Sequence, residues 1–206
     1  LASQQFTPRT IKFDPGHRET FWHKNCVAIG VSAGFVEPLE ATALVLIEKS
    51  AEWISQQLPR SRDAMSVLAK RFNALTLQRW QEIIDFLKLH YILSKRSDTA
   101  FWTDNRDPQT IPDSLLELMQ LWKYRSPADY DFASNNEVFP AASYQYVLYG
   151  MGFKSDYSLS PQLLNDWSYA EQQFTKNKNM IQQASKSLPT NRELLNKIRQ
   201  YGLSAI

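Results

Sequence analysis

The stretch Asn25-Cys-Val-Ala-Ile-Gly-Val-Ser-Ala-Gly-Phe-Val-Glu-Pro-Leu-Glu-Ala-Thr-Ala-Leu44 determines how the rest of this sequence is interpreted. Residues 25–29 form a short apolar run ending at a glycine, which is typical of a buried strand. Small residues at Gly30, Ala33 and Gly34 then predict a tight turn whose backbone comes close to another group.

The end of the same stretch changes to a helical pattern. Glu37-Pro38 favours an extended or turn conformation, and the pattern is helical from Glu40 onward, so we expect Glu40 near the first turn of a helix. Free N–H groups and the helix dipole favour an anion at such a position. A glutamate there is more often a solvated residue. The succession of strand, small-residue turn, acidic pair and helix favours a functional site instead.

The run NCVAIGVSAGFVEPLEAT resembles the signature of flavin-dependent tryptophan halogenases, NCVAIGLSAGFLEPLEST followed by glycine. In that family a strand ends beside the flavin ring and the following turn passes over it. The resemblance implies that Gly34, Pro38 and Leu44 contact the flavin.

The resemblance also implies that Glu40 is the catalytic carboxylate and that the backbone N–H groups of Thr42 and Ala43 bind chloride or bromide. This sequence has Ala41 where serine is usual and Ala43 where glycine is usual. Because alanine adds a methyl group and resists positive φ, we expect the halide pocket to be altered in size or backbone angle.

A second block strengthens the resemblance. Asp85-Phe-Leu-Lys-Leu-His-Tyr91, followed by Arg96, Asp98 and Phe101-Trp102, is similar to the family pattern D-F-x-x-x-H-Y…R-x-D-x-x-F-W. It implies that His90 faces the aromatic substrate together with Glu40. The alternative is a hydrogen-bonded core histidine.

Tyr144 and Tyr149 lie in an aromatic segment near two glycines, and such rings suit an aromatic substrate pocket. Their alternative is a place in the core. His17 and His23 are too isolated to predict a metal site, because zinc needs several ligands.

Composition limits the class of protein. The 206 residues carry a net charge of +2, which is too small to indicate binding to nucleic acid or to an anionic membrane. No apolar run approaches the ~20 residues of a spanning helix. The single cysteine, Cys26, is interpreted as a small buried hydrophobic residue, and it fits a reducing, cytoplasmic compartment.

None of the six glycines forms the dinucleotide-binding pattern G-x-G-x-x-G. The family's catalytic lysine and its W-x-W-x-I-P segment are also missing. We therefore expect the chain to be the C-terminal portion of a longer or truncated halogenase. The resemblance implies reduced FAD, a flavin reductase as partner and an aromatic small-molecule substrate, and it leaves a homodimer open.

The predicted fold is mainly α with a small β part, the helical portion of an α/β FAD-dependent monooxygenase-like fold. Residues 1–40 should form a hairpin and the last strand of the flavin-domain sheet, and residues 41–206 a helical substrate-side region. The hairpin strands are expected at Thr10–Phe13 and Glu19–Trp22, around the turn Asp14-Pro-Gly16.

Helices are predicted from periodicity and capping signals. The first helix is predicted between Glu40 and Pro59, and the second from Ser61 to Arg96 with a break near Asn73. Two more are predicted at 110–123 and 160–187, and a last one begins at the capping box Thr190–Glu193. A loop is predicted at 126–140, and a strand at 144–149 is a further option.

Two other functions stay open at this stage. One is a flavin-family module that associates without turnover, which the alanines at positions 41 and 43 allow. The other is an unrelated helical interaction domain, for which the first motif would be a coincidence.

Overall fold

The computed structural model describes residues 9–132, 138–158 and 167–203, and contacts divide the chain into the units Leu1–Asp156 and Tyr157–Ile206. The strands of the first unit are β1 Gly16–His17, β2 Trp22–His23, β3 Cys26–Val27 and β4 Gly34–Phe35. Its helices are α1 Ala43–Gln56, α2 Arg62–Leu93, α3 Ala100–Asp104, α4 Asp113–Trp122 and α5 Ala141–Gly150. The second unit contains α6 Trp167–Ser187 and α7 Asn191–Tyr201. The prediction of a mainly helical chain with a small β part is confirmed.

Helix α2 is the centre of the first unit. It has 32 residues, and Ser61 caps its start by accepting a hydrogen bond from the amide of Ala64. Helices α4 and α5 and strand β2 pack against it. The buried apolar residues of this core include Phe21, Trp22, Phe72, Trp80, Ile83, Phe86, Leu89, Leu115, Trp122, Tyr144 and Leu148. A helix buried on several sides fits the weak amphipathic pattern of its sequence.

The predicted break near Asn73 is wrong, because α2 continues through this residue. The Asn73 side chain instead holds the β2 segment to the helix. Its Oδ1 accepts hydrogen bonds from the amides of Phe21 at 2.9 Å and Trp22 at 2.7 Å, and its Nδ2 donates to the Trp22 carbonyl at 2.9 Å. The asparagine that weakens the helical pattern thus makes a tertiary contact with the β2 segment.

Replacing Asn73 by alanine should destabilise the first unit by about 3 kcal/mol, because part-buried backbone groups of β2 lose their partners. Urea unfolding of the chain, followed by tryptophan fluorescence, measures this change. Arg71→Ala, at an exposed position of the same helix, is the matched control and should stay within about 0.5 kcal/mol of the parent. Equal effects of the two substitutions would contradict the assignment.

The strands pair differently from the predicted hairpin. Residues 10–13 form no strand; β1 pairs antiparallel with β4, and β2 pairs antiparallel with β3. The amide of Arg18 also donates to the Ala33 carbonyl at 2.8 Å. The turn signal at Asp14-Pro-Gly16 is therefore overridden by a long-range pairing, which Gly34 permits by allowing close backbone approach.

The predicted buried strand at residues 25–29 is shortened to β3, and Cys26 is exposed rather than buried. The physical reason is that β3 belongs to a two-stranded ladder, so an apolar run need not have both faces covered. The small-residue turn that follows is confirmed: Gly30 has φ of 63° and opens a 3-10 turn to Ser32.

Two further predictions have definite outcomes. The strand option at 144–149 is wrong, because this segment lies within α5. The capping box of α7 is confirmed: the amide of Glu193 donates to Thr190 Oγ1, and the amide of Thr190 donates to Glu193 Oε2 at 2.8 Å. The predicted helix start at Ser160-Pro161 and residues 133–137 of the predicted loop lie outside the described residues. The domain boundary at residue 40 stays a prediction.

The second unit is described by itself. None of the described residues of α6 and α7 is buried, and the apolar side chains of Trp167, Phe174 and Ile181 in α6 are largely exposed. No helix in the described ranges is long and apolar enough to cross a membrane.

Helix α2 also buries a carboxyl group. Burial raises the pKa of Asp85 to about 6, a hydrogen bond with Ser114 opposes this shift, and the charge of Glu82 adds to it. Because the ordinary pKa is 3.8, the folded state holds a proton that the unfolded state releases between about pH 4 and 6. This group's contribution to stability therefore falls as pH rises through that window and stays low above it.

Asp85→Asn removes the cost of ionising a buried carboxyl group. The free energy of unfolding should rise relative to the parent by up to about 3 kcal/mol at pH 7.5, with little difference at pH 4, because both side chains are then neutral. Urea unfolding at the two pH values measures the difference. A difference that does not change with pH would contradict the buried, protonated state of Asp85.

Candidate functional site

The turn between β4 and α1 forms one wall of a cavity of about 310 Å³. Helix α1 contributes Leu46 and Ser50 to the lining, and α2 contributes Thr76 and Trp80. The predicted flavin neighbours and halide residues all line this one cavity: Gly34, Pro38, Thr42, Ala43 and Leu44. The sequence motif therefore folds around a single space.

The mouth of the cavity is apolar and open. Val31 is 80% exposed and Leu44 is 76% exposed, although both line the cavity. Ile47 and Phe35 are also part-exposed at its wall. Exposed apolar side chains grouped around one opening are typical of a surface that binds a flat apolar ligand or another polypeptide.

The segment before α1 differs from the prediction of a first-turn glutamate. Glu40 and Ala41 both have left-handed backbone, with φ of 67° and 52°, and α1 begins only at Ala43. Residues in that region cannot continue a right-handed helix, so Glu40 lies in a sharp turn before it. The amide of Ala41 donates to the Pro38 carbonyl at 2.9 Å, which closes this turn.

The start of α1 retains free donors. Thr42 is the N-cap residue and is buried, but its side chain makes no capping hydrogen bond. The first amides of α1, beginning at Ala43, have no acceptor within the helix and carry the partial positive charge of the helix dipole. Positive φ occurs at Glu40 and Ala41 and not at Ala43, so alanine causes no left-handed strain at position 43. The expected change in the size or backbone angle of the halide pocket stays a prediction.

Helix α2 holds Glu40 through His90. Nε2 of His90 lies 3.1 Å from Oε1 of Glu40, and Nδ1 lies 2.8 Å from the carbonyl oxygen of Phe86. A carbonyl oxygen and an ionised carboxylate both accept, so His90 satisfies both only when each ring nitrogen carries a hydrogen. The alternative of a hydrogen-bonded histidine fits His90, which contacts its own helix and the predicted catalytic carboxylate. Contact of His90 with an aromatic substrate stays a prediction.

The next residue of α2 holds the first glutamate of the turn. Tyr91 Oη donates to Glu37 Oε1 at 2.8 Å, and Glu37 lines the cavity. Burial raises the pKa of Tyr91 to about 12, and the hydrogen bond to Glu37 and the charge of Glu37 add to this shift. The phenol is thus protonated near neutral pH and can donate to Glu37.

The second motif is packed around Tyr91. Its ring centroid lies 5.6 Å from Phe101 and 5.9 Å from Trp102, and the Arg96 guanidinium lies 4.3 Å above the Trp102 ring. Arg96 in turn forms an ion pair with Asp98 at 2.7 Å. We call Tyr91, Arg96, Asp98, Phe101 and Trp102 the aromatic mount.

Tyr144 and Tyr149 are not among the residues that line the cavity. Tyr144 is only 1% exposed and packs against Phe86, while Tyr149 Oη is bonded to Ser126 and Ser155. The core alternative fits Tyr144. Contact of either residue with a substrate stays a prediction.

The histidines near the N-terminus have structural surroundings. His17 stacks on Trp80 with ring centroids 5.4 Å apart, and His23 is exposed. Within the described ranges, no group of three or more His, Cys, Asp or Glu side chains is arranged to hold a metal ion.

Sequence reasoning missed the two links between the turn and α2. Glu37 was considered only as the residue before Pro38, and Tyr91 only as one letter of a family pattern. The signal lies in the spacing: the glutamates are three residues apart in the turn, and His90 and Tyr91 are consecutive in the helix. These side chains are hydrogen-bond donors and carboxylate acceptors, so they are able to pair once the fold brings the two motifs together.

Comparison with known proteins agrees with this geometry. The profile of the tryptophan halogenase family matches residues 2–163. The crystal structure of a tryptophan halogenase from Shewanella frigidimarina superposes with a TM-score of 0.88 at 45% identity, covering 98% of this chain and 38% of that protein. Tryptophan 6-halogenase SttH from Streptomyces toxytricini is 34% identical over 80% of this chain and 31% of its own length.

A flavin-dependent halogenase from Brevundimonas, BrvH, superposes with a TM-score of 0.78 at 32% identity, covering 93% of this chain and 38% of that protein. The fold of this chain is therefore that of a portion of the flavin-dependent halogenases. The chain belongs to the tryptophan halogenase family. It spans about a third of the length of the relatives that it matches.

Gly34 forms the cavity wall where β4 lies on β1. A Cβ atom at this position would lie 2.7 Å from His17 Cβ and 2.8 Å from the Gly16 carbonyl oxygen. Gly34→Ala should therefore push β4 away from β1 and lower the free energy of unfolding by about 1–3 kcal/mol. Chemical denaturation of the chain measures this loss.

Gly150→Ala is the matched control, because an added Cβ at the end of α5 meets no atom within 4 Å. It should be neutral or slightly stabilising, by less than about 1 kcal/mol. If Gly34→Ala were as well tolerated as this control, the close approach of β4 to β1 would not shape the cavity wall.

Proposed function

We propose that this chain supplies the substrate-side part of a halogenase that acts on tryptophan or another electron-rich aromatic ring with reduced FAD, dioxygen and halide. The proposal is supported by membership of the tryptophan halogenase family and by the geometry of the turn. We further propose that the enzyme works in the cytoplasm, where a flavin reductase supplies reduced FAD.

The observation that carries the proposal is the convergence of three features in one turn. Glu40 is held by His90 at 3.1 Å, the free amides of the α1 start follow within three residues, and the apolar cavity is formed by the same segment. The proposed halogenation uses a base, a halide site and a cofactor surface. A helical interaction domain would need none of them.

The cavity fits the edge of a flavin ring. Its wall includes Gly34 and Pro38, which offer backbone and apolar surface, and its volume of about 310 Å³ lies at the lower end of the ~300–1,000 Å³ of small-molecule sites. It therefore suits one ring system and not a whole dinucleotide. When bound, the reduced flavin supplies the electrons that activate dioxygen, so that halide is oxidised to an electrophilic halogen.

The halide would lie at the N-terminus of α1. Backbone amides of Thr42 and Ala43 can donate to it, and the helix dipole stabilises a negative charge at this end. The Ala43 methyl group narrows the space that glycine would leave, without changing which atoms donate. We therefore assign chloride or bromide to this position.

Glu40 would act as the base of the substitution. The electrophilic halogen, as hypohalous acid, bonds to a ring carbon while its bond to oxygen breaks and hydroxide leaves. The hydrogen of that carbon then passes as a proton to the Glu40 carboxylate as aromaticity returns. The contact with His90 restrains the carboxylate so that it need not reorient during the step. General-base catalysis of this kind is typically worth roughly 10²–10⁴-fold in rate.

A flavin-family module without turnover is the second candidate. The alanines at positions 41 and 43, where the family usually has serine and glycine, favour it. The two functions differ in turnover: only the halogenase forms a halogenated product, and only its rate of product formation depends on the Glu40 carboxylate.

The test uses a chimera in which this chain replaces the matching 38% of the Shewanella frigidimarina tryptophan halogenase. The chimera should halogenate an aromatic substrate when given reduced FAD, dioxygen and chloride or bromide. Glu40→Gln keeps the shape of the side chain but removes the base, so turnover should fall roughly 10²-fold or more. Product formation is measured by mass spectrometry.

Flavin binding by the same variants is the control, because Glu40 is not among the residues that line the cavity. Its affinity, measured by fluorescence titration, should be equal in parent and variant. A chimera that binds FAD and folds but makes no halogenated product would favour the module without turnover. Turnover of Glu40→Gln within a few-fold of the parent would remove Glu40 as the base.

A further inference from the structure

Two consecutive side chains of α2 bond both carboxylates of the turn before α1. His90 lies 3.1 Å from Glu40, and Tyr91 donates to Glu37 at 2.8 Å. The two glutamates are separated by Pro38 and Leu39 only. The turn is thus bonded to α2 at Glu37, where the turn begins, and at Glu40.

The turn needs such an attachment because its backbone is unfavourable. Glu40 and Ala41 both adopt left-handed φ, which costs roughly 1–2 kcal/mol per residue for side chains with a Cβ. Such conformations persist only where the surroundings hold them. One restraint lies inside the turn: the hydrogen bond from the Ala41 amide to the Pro38 carbonyl. A second restraint is the hydrogen bond from Tyr91 to Glu37, the residue before Pro38.

The position of the Tyr91 hydroxyl is itself fixed by packing. The ring contacts Phe101 and Trp102, and Arg96 lies above Trp102. Arg96 is oriented by two bonds to Asp98, at 3.0 Å from Nε and 2.7 Å from Nη2. The aromatic mount therefore restrains the direction in which the Tyr91 hydroxyl donates to Glu37.

The surroundings of the Tyr91–Glu37 hydrogen bond favour a neutral phenol on Tyr91. Tyr91 stays protonated because burial and the Glu37 carboxylate raise its pKa to about 12. The hydrogen bond from a neutral phenol to a carboxylate is charge-assisted, and it is stronger than one between neutral groups. His90, the adjacent residue, is bonded to Glu40 and does not compete for Glu37.

We infer that Tyr91 is a positioning residue for halogenation: by holding Glu37 it fixes the left-handed turn that presents the Glu40 carboxylate to the substrate ring. This inference rests on the proposed function for its chemistry, but its structural part concerns this chain alone. It also gives the second sequence motif a role, since the aromatic mount supports the Tyr91 hydroxyl.

The structural part is tested on the chain as it is, by amide hydrogen exchange at Ala41. Tyr91→Phe keeps the ring and its packing but removes the donor, so exchange at the Ala41 amide should accelerate roughly tenfold. Glu37→Ala should do the same, whereas Glu37→Gln keeps an acceptor oxygen and should stay close to the parent. The Gln57 amide, bonded to Trp53 at the end of α1, is the internal control.

The chemical part is tested in the halogenase chimera. Tyr91→Phe should lower kcat roughly tenfold with KM for the aromatic substrate unchanged, because the base is misplaced while the substrate pocket is intact. Proton removal should then become slower relative to halogen transfer. A substrate deuterated at the reacting ring carbon should therefore show a larger kinetic isotope effect in Tyr91→Phe than in the parent. Tyr91→Phe and Glu37→Ala together should cost no more than either alone.

The outcomes separate this inference from the proposed function. Unchanged exchange at Ala41 in Tyr91→Phe overturns the inference even when the parent chimera halogenates. Faster exchange in both Glu37→Gln and Glu37→Ala also overturns it, because the charge and not the hydrogen bond would then matter. A parent chimera without activity removes the proposed function, and with it the catalytic role of Tyr91, while the exchange data still decide whether Tyr91 holds the turn.

Discussion

The left-handed backbone at Glu40 and Ala41 is the constraint on which the site depends. It ends the extended segment after β4, turns the chain sharply, and lets α1 begin at Ala43 with its free amides beside the cavity. A right-handed conformation there would join Glu40 to the helix and carry its carboxylate along the helix surface. The conformation is unfavourable for a residue with a side chain, so it is stable only because contacts outside the turn hold it.

Helix α2 provides those contacts and connects the site with the core. Near its middle, Asn73 holds the β2 segment through three hydrogen bonds, and at its end His90 and Tyr91 hold the turn. Between these points its apolar residues pack against α4 and α5. One long rigid helix therefore sets the relation between the strands, which shape the cavity wall, and the carboxylates beside it.

The apolar surface left open is in keeping with a chain that spans about a third of the length of its relatives. Val31 and Leu44 stand exposed at the cavity mouth, where a flavin ring and further polypeptide would cover them in a whole halogenase. This covering of Val31 and Leu44 belongs to the proposed function. It fits the cavity, whose volume suits one ring system and not the complete cofactor.

The sequence by itself determined the family and the mainly helical class, and it singled out five residues that line the cavity: Gly34, Pro38, Thr42, Ala43 and Leu44. The EPLE segment and its small-residue turn are local signals of a specific kind. The sequence could not show the pairing of β1 with β4, the continuity of α2 at Asn73 or the left-handed turn at Glu40, and it misplaced Cys26. Each depends on partners distant in sequence, which outweigh local propensity. Only the tertiary structure decided that Tyr91 and His90 hold Glu37 and Glu40, since hydrogen bonds across about fifty residues leave no periodic trace in the sequence.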